Sequence, residues 1–170
     1  LQPPNSWDGN DESFIATGGL VEQDTAWAAH EIPFLIEDDL ELDATLTVAP
    51  GSELRFASQT EVFIETTGAF TAAGTAMMPI ILTGAQQTRG AWKGLRFRSS
   101  GSTENVLSWV TLDYAGGESF GGNKAAIYLD DDVGSVRLTL TNSTITNSDG
   151  YAVFCEGDQN THELTIAENR

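Results

Sequence analysis

Basic side chains are the scarce charged class in this chain: 8 Lys and Arg stand against 25 Asp and Glu, a formal charge of −17 over 170 residues. Such a surface repels phosphate backbones and anionic lipid headgroups, which argues against nucleic acid as a partner, and it attracts cations or basic proteins. Cysteine is represented by Cys155 alone. No internal disulfide can form, and its place in the run Ala152-Val153-Phe154-Cys155 marks it as a small buried hydrophobe. A catalytic thiol needs a neighbouring base, and the only histidines, His30 and His162, read as surface or turn residues. The same scarcity leaves no paired spacing of the kind zinc sites use. No run approaches the ~20 apolar residues that cross a bilayer, so no transmembrane segment is expected. The sequence opens at Leu1 without Met, which gives the expectation of a processed chain from which a signal or anchor segment has been excluded.

Long helical periodicity is also missing. In its place, short runs rich in Val, Ile, Leu, Thr and Phe alternate with clusters of Gly, Asn, Asp and Ser, the pattern of an all-β chain. Phe34-Leu-Ile36, Leu46-Thr-Val48, Glu53-Leu-Arg-Phe56, Val62-Phe-Ile64, Ile80-Ile-Leu-Thr83 and Gly94-Leu-Arg-Phe97 are too short for core helices. One helical turn is expected, at Asp24-Thr-Ala-Trp-Ala-Ala-His30. The second half repeats: Trp92-Lys-Gly-Leu-Arg-Phe97 aligns with Ala125-Ala-Ile-Tyr-Leu129 and with Gly150-Tyr-Ala-Val-Phe154. A second series runs through Asn105–Leu112, Val136–Leu140 with Ser143-Thr-Ile145, and Glu163-Leu-Thr-Ile166. Self-similarity at this period belongs to solenoids and propellers, whose units bury their apolar faces only against each other. Propeller blades need four antiparallel strands, and tight hairpin dipeptides are scarce here. Asn142, Asn147 and Asn169 follow or separate strands, where Asn accepts a left-handed backbone and bonds to the rung above or below.

These features predict a right-handed parallel β-helix, with residues 1–19 as an extension and 20–170 as one domain. The segments Pro33–Ile36, Asp39–Leu42, Ala44-Thr-Leu-Thr-Val-Ala-Pro-Gly51, Glu53–Phe56, Gly68–Thr75, Pro79–Gly84 and Trp92-Lys-Gly-Leu95 resemble the opening coils of bacterial surface right-handed β-helix proteins, the solenoids of the pectate-lyase-like superfamily. Thr144-Ile-Thr-Asn-Ser-Asp-Gly-Tyr-Ala-Val153 resembles the Asn-rich coils of that family. The resemblance implies a secreted or cell-surface bacterial protein. It is a resemblance to a fold with many functions, and a fold does not fix an activity.

Asn147-Ser-Asp149-Gly150 resembles the Asn-Thr-Asp motif of polygalacturonase-like β-helix hydrolases. Glycoside hydrolysis needs two carboxyls across the sugar, and after Asp149 the sequence offers only scattered acids, with His162 followed by Glu where that family has Gly. Asp149 is therefore read as a turn residue. The densest acidic turn, Asp130-Asp131-Asp132, could gather oxygen ligands for Ca²⁺, although it matches neither an EF-hand nor a glycine-rich calcium repeat. A lyase would need calcium carboxylates beside a basic residue, for which Arg96, Arg98 and Arg137 are available. Among the aromatics, Trp27, Trp92 and Trp109 lie in or beside apolar runs and are expected to fill or cap the core. Trp7, Tyr114 and Phe120 are the expected exposed ligand contacts. The loop Gly116-Gly-Glu-Ser-Phe-Gly-Gly122 reads as an excursion from the coil, since it lacks the Lys-Ser/Thr ending of a phosphate cradle.

The expected function is a noncatalytic scaffold that binds a polysaccharide or a cell-surface protein, with a fragment of a polysaccharide lyase or glycoside hydrolase as the alternative. Glu163–Arg170 reads as the start of another coil without a cap. That end is expected either to continue or to dock on another copy through Leu164 and Ile166.

Overall fold

The computed structural model describes residues 9–132, 134–157 and 162–169. All the regular structure in them is β. The strands are β1 (Ile15–Val21), β2 (Thr25–Trp27), β3 (Phe34–Leu42), β4 (Thr45–Val48), β5 (Glu53–Phe56) and β6 (Glu61–Ile64). Then come β7 (Ala69–Ala73), β8 (Ile80–Gly84), β9 (Gly94–Arg98), β10 (Val106–Ser108), β11 (Val110–Asp113) and β12 (Ser119–Phe120). The last are β13 (Asn123–Asp130), β14 (Arg137–Thr141), β15 (Thr144–Thr146), β16 (Tyr151–Cys155) and β17 (Glu163–Ala167).

The expected helical turn is replaced by β2. Thr25–Trp27 pairs with Leu46–Val48, and Trp27 stacks on Phe34 at 4.9 Å. Sheet pairing and ring burial together outweigh the weak local preference of an Ala-rich segment for helix. Strand pairing begins at Ile15, within the stretch 1–19 read as an extension.

Two sheets contain these strands. The smaller runs in the order β17-β14-β10-β7-β4-β2. The larger divides into two ladders because β3 is long enough to serve both: Phe34–Ile36 pairs with β5 and Leu40–Leu42 with β6. From there one ladder continues β5-β8-β11-β15 and the other β6-β9-β13-β16. From β4 onward the chain visits the smaller sheet, the first ladder and the second ladder in the same cyclic order, interrupted only by β12. Pairings within the ladders are parallel, and β12 adds an antiparallel pair with β13, so the larger sheet is mixed.

In-register pairing places like residues over like at the ~4.8 Å spacing of strands. Leu54, Leu82, Leu112 and Ile145 form one such stack. Val62, Leu95, Ile127 and Val153 form another, which bears out the repeat alignment of the three segments. Val48, Ala72, Leu107, Leu140 and Ile166 form a third on the smaller sheet. Leu46, Val62, Ile80, Leu95 and Ile127 lie in one buried core. The stacks thin at the C-terminal side: Val153 is half-buried and Ile166, expected inside, is 52% exposed. No further rung among the described residues covers it. Cys155 is likewise half-buried, and burial pushes its thiol pKa up.

Trp92 fills the core as expected, stacked on Phe56 at 3.9 Å with Nε1 donating to the carbonyl of Asp113 at 2.9 Å. The Trp-Lys-Gly run needs its glycine, because Gly94 has φ +115° and a Cβ there would strike the Ala126 carbonyl on the next rung. Turn polar groups also stack. Buried Asn105 donates to Ser100 and to the carbonyl of Arg137, while its Oδ1 accepts from Phe70 N–H. Asn169 accepts from Ser143 N–H at 2.8 Å and donates to the carbonyl of Leu140.

Candidate functional site

The segment Val106–Leu112 holds a change of phase: Leu107 is buried, but the next buried positions are Val110 and Leu112. An odd-numbered inward set becomes an even-numbered one, so the backbone must turn at Ser108–Trp109. It does so with Trp109 at φ 53°. A bulky residue in the left-handed region is a genuine outlier, and such outliers cluster at functional sites. The surrounding rungs fix it: Trp109 N–H donates to Thr141, and its carbonyl accepts from Ile80 N–H at 3.0 Å. On the next two rungs the equivalent corners are Asn142 at φ 52° and Glu168 at φ 56°.

This turn throws the indole outward. Trp109 is 37% exposed, which corrects its expected place in the core. The apolar run is broken by the corner, and the side chain belongs to neither flanking strand. The ring lines a cleft of about 450 Å³ together with Thr111, Asn142, Thr144, Glu168 and Pro79. The cleft thus brings one aromatic residue together with residues that carry amide, hydroxyl and carboxylate groups. That combination suits a ligand with an apolar face and polar edges, such as a pyranose ring. The signal was present in the sequence as the broken alternation around Trp109.

The other expected contacts lie elsewhere. Trp7 falls outside the described residues. Tyr114, at φ 61°, is half-buried and packs on the core. Phe120 is half-buried against the outer side of β9 and β13, its ring 5.2 Å from that of Tyr128 and 4.7 Å from the guanidinium of Arg96. Asp149 accepts from Lys124 Nζ at 2.7 Å, and its backbone N–H donates to Ala115. It sits in the turn stack with Gly90 and Gly116.

Within the acidic turn, Asp130 is buried and its Oδ2 binds Arg96 at 2.5 Å. Its Oδ1 accepts from Asp132 N–H at 3.2 Å. Asp131 is half-buried and Asp132 exposed. Among the described residues no three His, Cys, Asp or Glu side chains converge as metal ligands.

A second polar cluster, not anticipated from sequence, lies on the outer side of the larger sheet. Lys93 Nζ is 3.4 Å from Asp39, 3.6 Å from Glu61 and 3.5 Å from Glu118. Burial drives the Glu61 pKa up, against the pull of Lys93, and one of its oxygens has no hydrogen bond. Burial alone would lower the Lys93 pKa, but the surrounding carboxylates, led by Glu61 and Asp39, outweigh it and hold the ammonium charged. Three acids share one base, and the most buried acid is the one whose charge is disfavoured.

No known family matches this chain, and no curated protein or solved structure matches it either. No helix among the described residues is long and apolar enough to cross a membrane.

Proposed function

We propose that the chain is a noncatalytic right-handed parallel β-helix module of a secreted or cell-surface bacterial protein, and that it binds carbohydrate at the Trp109 cleft. The cyclic visiting of three parallel ladders supports the β-helix reading. The observation that carries the binding reading is the outward indole of Trp109, locked in a left-handed corner beside Asn142, Thr144 and Glu168. Aromatic anchors with two stiff torsions lose little entropy on binding, which is why such residues dominate contact energies. The excess negative charge favours a neutral glycan over an anionic one. The ion pair of Asp149 with Lys124 favours binding over hydrolysis, since hydrolysis calls for two carboxyls flanking the sugar.

A glycan array probed with and without Ca²⁺ tests the reading. The expected result is binding to a restricted set of neutral glycans, lost about thirtyfold in Trp109→Ala, the ~2 kcal/mol of an aromatic hot spot. Binding that needs Ca²⁺ would transfer the site to the Asp130–Asp132 turn. Binding that Trp109→Ala leaves intact would refute the cleft.

A further inference from the structure

Glu61 lies on the outer side of the larger sheet yet is only 8% exposed, and its Oε2 accepts no hydrogen bond. Its Oε1 is 3.6 Å from Lys93 Nζ. The same ammonium is 3.5 Å from Glu118, on the segment 116–122 that folds back over the sheet and adds β12 to β13, Ser119 opposite Lys124 and Phe120 opposite Asn123. Asp39 completes the group: it lies 3.4 Å from Nζ, and its Oδ1 accepts from Glu61 N–H at 3.0 Å. A buried strand acid, a surface acid and an acid on a returning loop thus draw on one cation.

The loop is pinned where it leaves the coil. Gly116 and Gly117 N–H donate to the Lys93 and Trp92 carbonyls at 3.1 and 2.8 Å, and a Cβ on either glycine would strike neighbouring backbone. It returns through Gly121 and Gly122, φ +53° and +89°. Between these ends the strap Glu118-Ser119-Phe120 is held by the ion pair to Lys93 and by the Phe120 ring, 4.7 Å from the Arg96 guanidinium and edge-on to Tyr128. Arginine stays charged, and burial pushes the Tyr128 phenol well above its ordinary range, so the aromatic contacts keep one form while the carboxylates titrate.

With Glu61 ionised, closing the strap brings a third carboxylate to a single ammonium, and Glu118 is repelled by the other two. With Glu61 protonated, Lys93 is left to Asp39 and Glu118, and closure gains attraction at less repulsion. Oε2, which accepts no bond, loses none when the acid becomes neutral. Burial is the main cause that raises the Glu61 pKa; of the charged groups facing it, Lys93 and Arg96 oppose the rise, while Asp39 and Glu118 add to it.

We propose that Glu61 is a proton-operated latch on this strap: taking up a proton, it yields Lys93 to Glu118 and closes Glu118-Ser119-Phe120 over the sheet, and losing the proton it loosens the strap. The sign follows from linkage. Closure is fully favoured below the Glu61 titration while Glu118 remains ionised, and that gain is lost as pH rises through the raised pKa. The latch governs access to the outer face of β9 and β13, where Arg96 and Tyr128 meet the strap. It uses no residue of the Trp109 cleft.

Amide exchange across the β12–β13 pair, read by NMR and divided by the intrinsic rate at each pH, tests the latch in the full chain. Wild-type protection should fall roughly threefold to fivefold from about pH 5 to about pH 8, the small size that a half-exposed ion pair permits, and by less in about 1 M salt. Glu61→Gln imitates the protonated acid and should hold the protection at its acid value across that range. Coupling is reciprocal, so Glu118→Gln should lower the Glu61 titration midpoint, read from its carboxyl carbon shift, and flatten the exchange profile. Should Glu61→Gln fail to fold, Glu118→Gln decides alone. Wild-type protection that ignores pH, an equally steep fall in Glu61→Gln, or a Glu61 midpoint that Glu118→Gln leaves unmoved overturns the proposal.

Discussion

Asn105 offers the sharpest energetic test of how the rungs are joined. Its amide is fully buried and touches the rungs on both sides: Oδ1 accepts from Phe70 N–H at 3.1 Å, and Nδ2 donates to Ser100 O, Ser100 Oγ and Arg137 O at 3.1, 2.9 and 3.1 Å. Substitution by Ala does not orphan all of these groups. Ser100 O keeps the N–H of Arg137, and Ser100 Oγ keeps its bond to Gly68 O. The Phe70 N–H loses its side-chain acceptor, which costs about 1–3 kcal/mol, and the small void adds to it. The expected loss is about 3 kcal/mol, which for a chain of this size lowers Tm by roughly 6–12 °C. Urea unfolding followed by circular dichroism measures it, and a loss under about 1 kcal/mol would refute the idea that this amide rivets adjacent rungs. Asn105→Asp adds a sign test. It keeps the acceptor for Phe70 but turns a second oxygen toward three acceptors, so the protonated form is favoured in the folded state. Its folded pKa then lies above the unfolded value of about 3.9, and its stability is greatest below that pH and falls as pH rises.

Glu61→Gln is expected to be at least as stable as wild type near neutral pH. Because burial raises the folded pKa of Glu61, the folded state binds the extra proton; the wild type is favoured below the unfolded pKa of about 4.3 and loses ground as pH rises through the folded value. Urea midpoints from pH 4 to 8 that fail to move in favour of Gln would contradict this. Asp149→Asn removes a half-exposed ion pair with Lys124, so stability should change by less than about 1 kcal/mol and glycan binding on the array should stay the same. Lost binding, or loss of a demonstrated hydrolysis, would restore Asp149 as a site residue. Ile166→Asp should weaken self-association measured by light scattering, since Ile166 is exposed on β17, at the end of the smaller sheet's strand order; a wild type that stays monomeric at all concentrations removes that role.

The strands were legible because inward residues alternate and repeat. Leu95, Ile127 and Val153 could be aligned by eye since parallel in-register stacking asks for the same kind of side chain at each rung. The corners were harder. Asn142 and Asn147 announce left-handed turns by type, and both have φ near 50°, but Gln59, Ser99, Trp109, Tyr114 and Glu168 adopt the same backbone without a residue type that favours it. At Ser99, Trp109 and Tyr114 the backbone N–H donates to a carbonyl of a neighbouring strand or corner, at Asp130, Thr141 and Thr146, and a single repeat read alone cannot reveal those bonds. Phe120 shows the same limit. Its glycine-rich surroundings mark an excursion between β11 and β13, but its direction depends on Arg96 and Tyr128, which lie on other strands.

The arrangement of charge connects the fold to the choice of ligand. Basic residues are few, and most of those described join adjacent rungs: Arg96 on β9 with Asp130 on β13, Arg137 on β14 with Glu163 on β17, Arg98 with Glu65, and Lys93 with Asp39 and Glu61. Positive charge is therefore held between strands, already matched by carboxylates, while many of the surplus acids remain at the surface. A freely approaching anion meets an excess of negative charge, and among the described residues the one ionisable group lining the Trp109 cleft is Glu168. The charge pattern thus favours, at the proposed cleft, neutral rings with polar edges over anionic ligands.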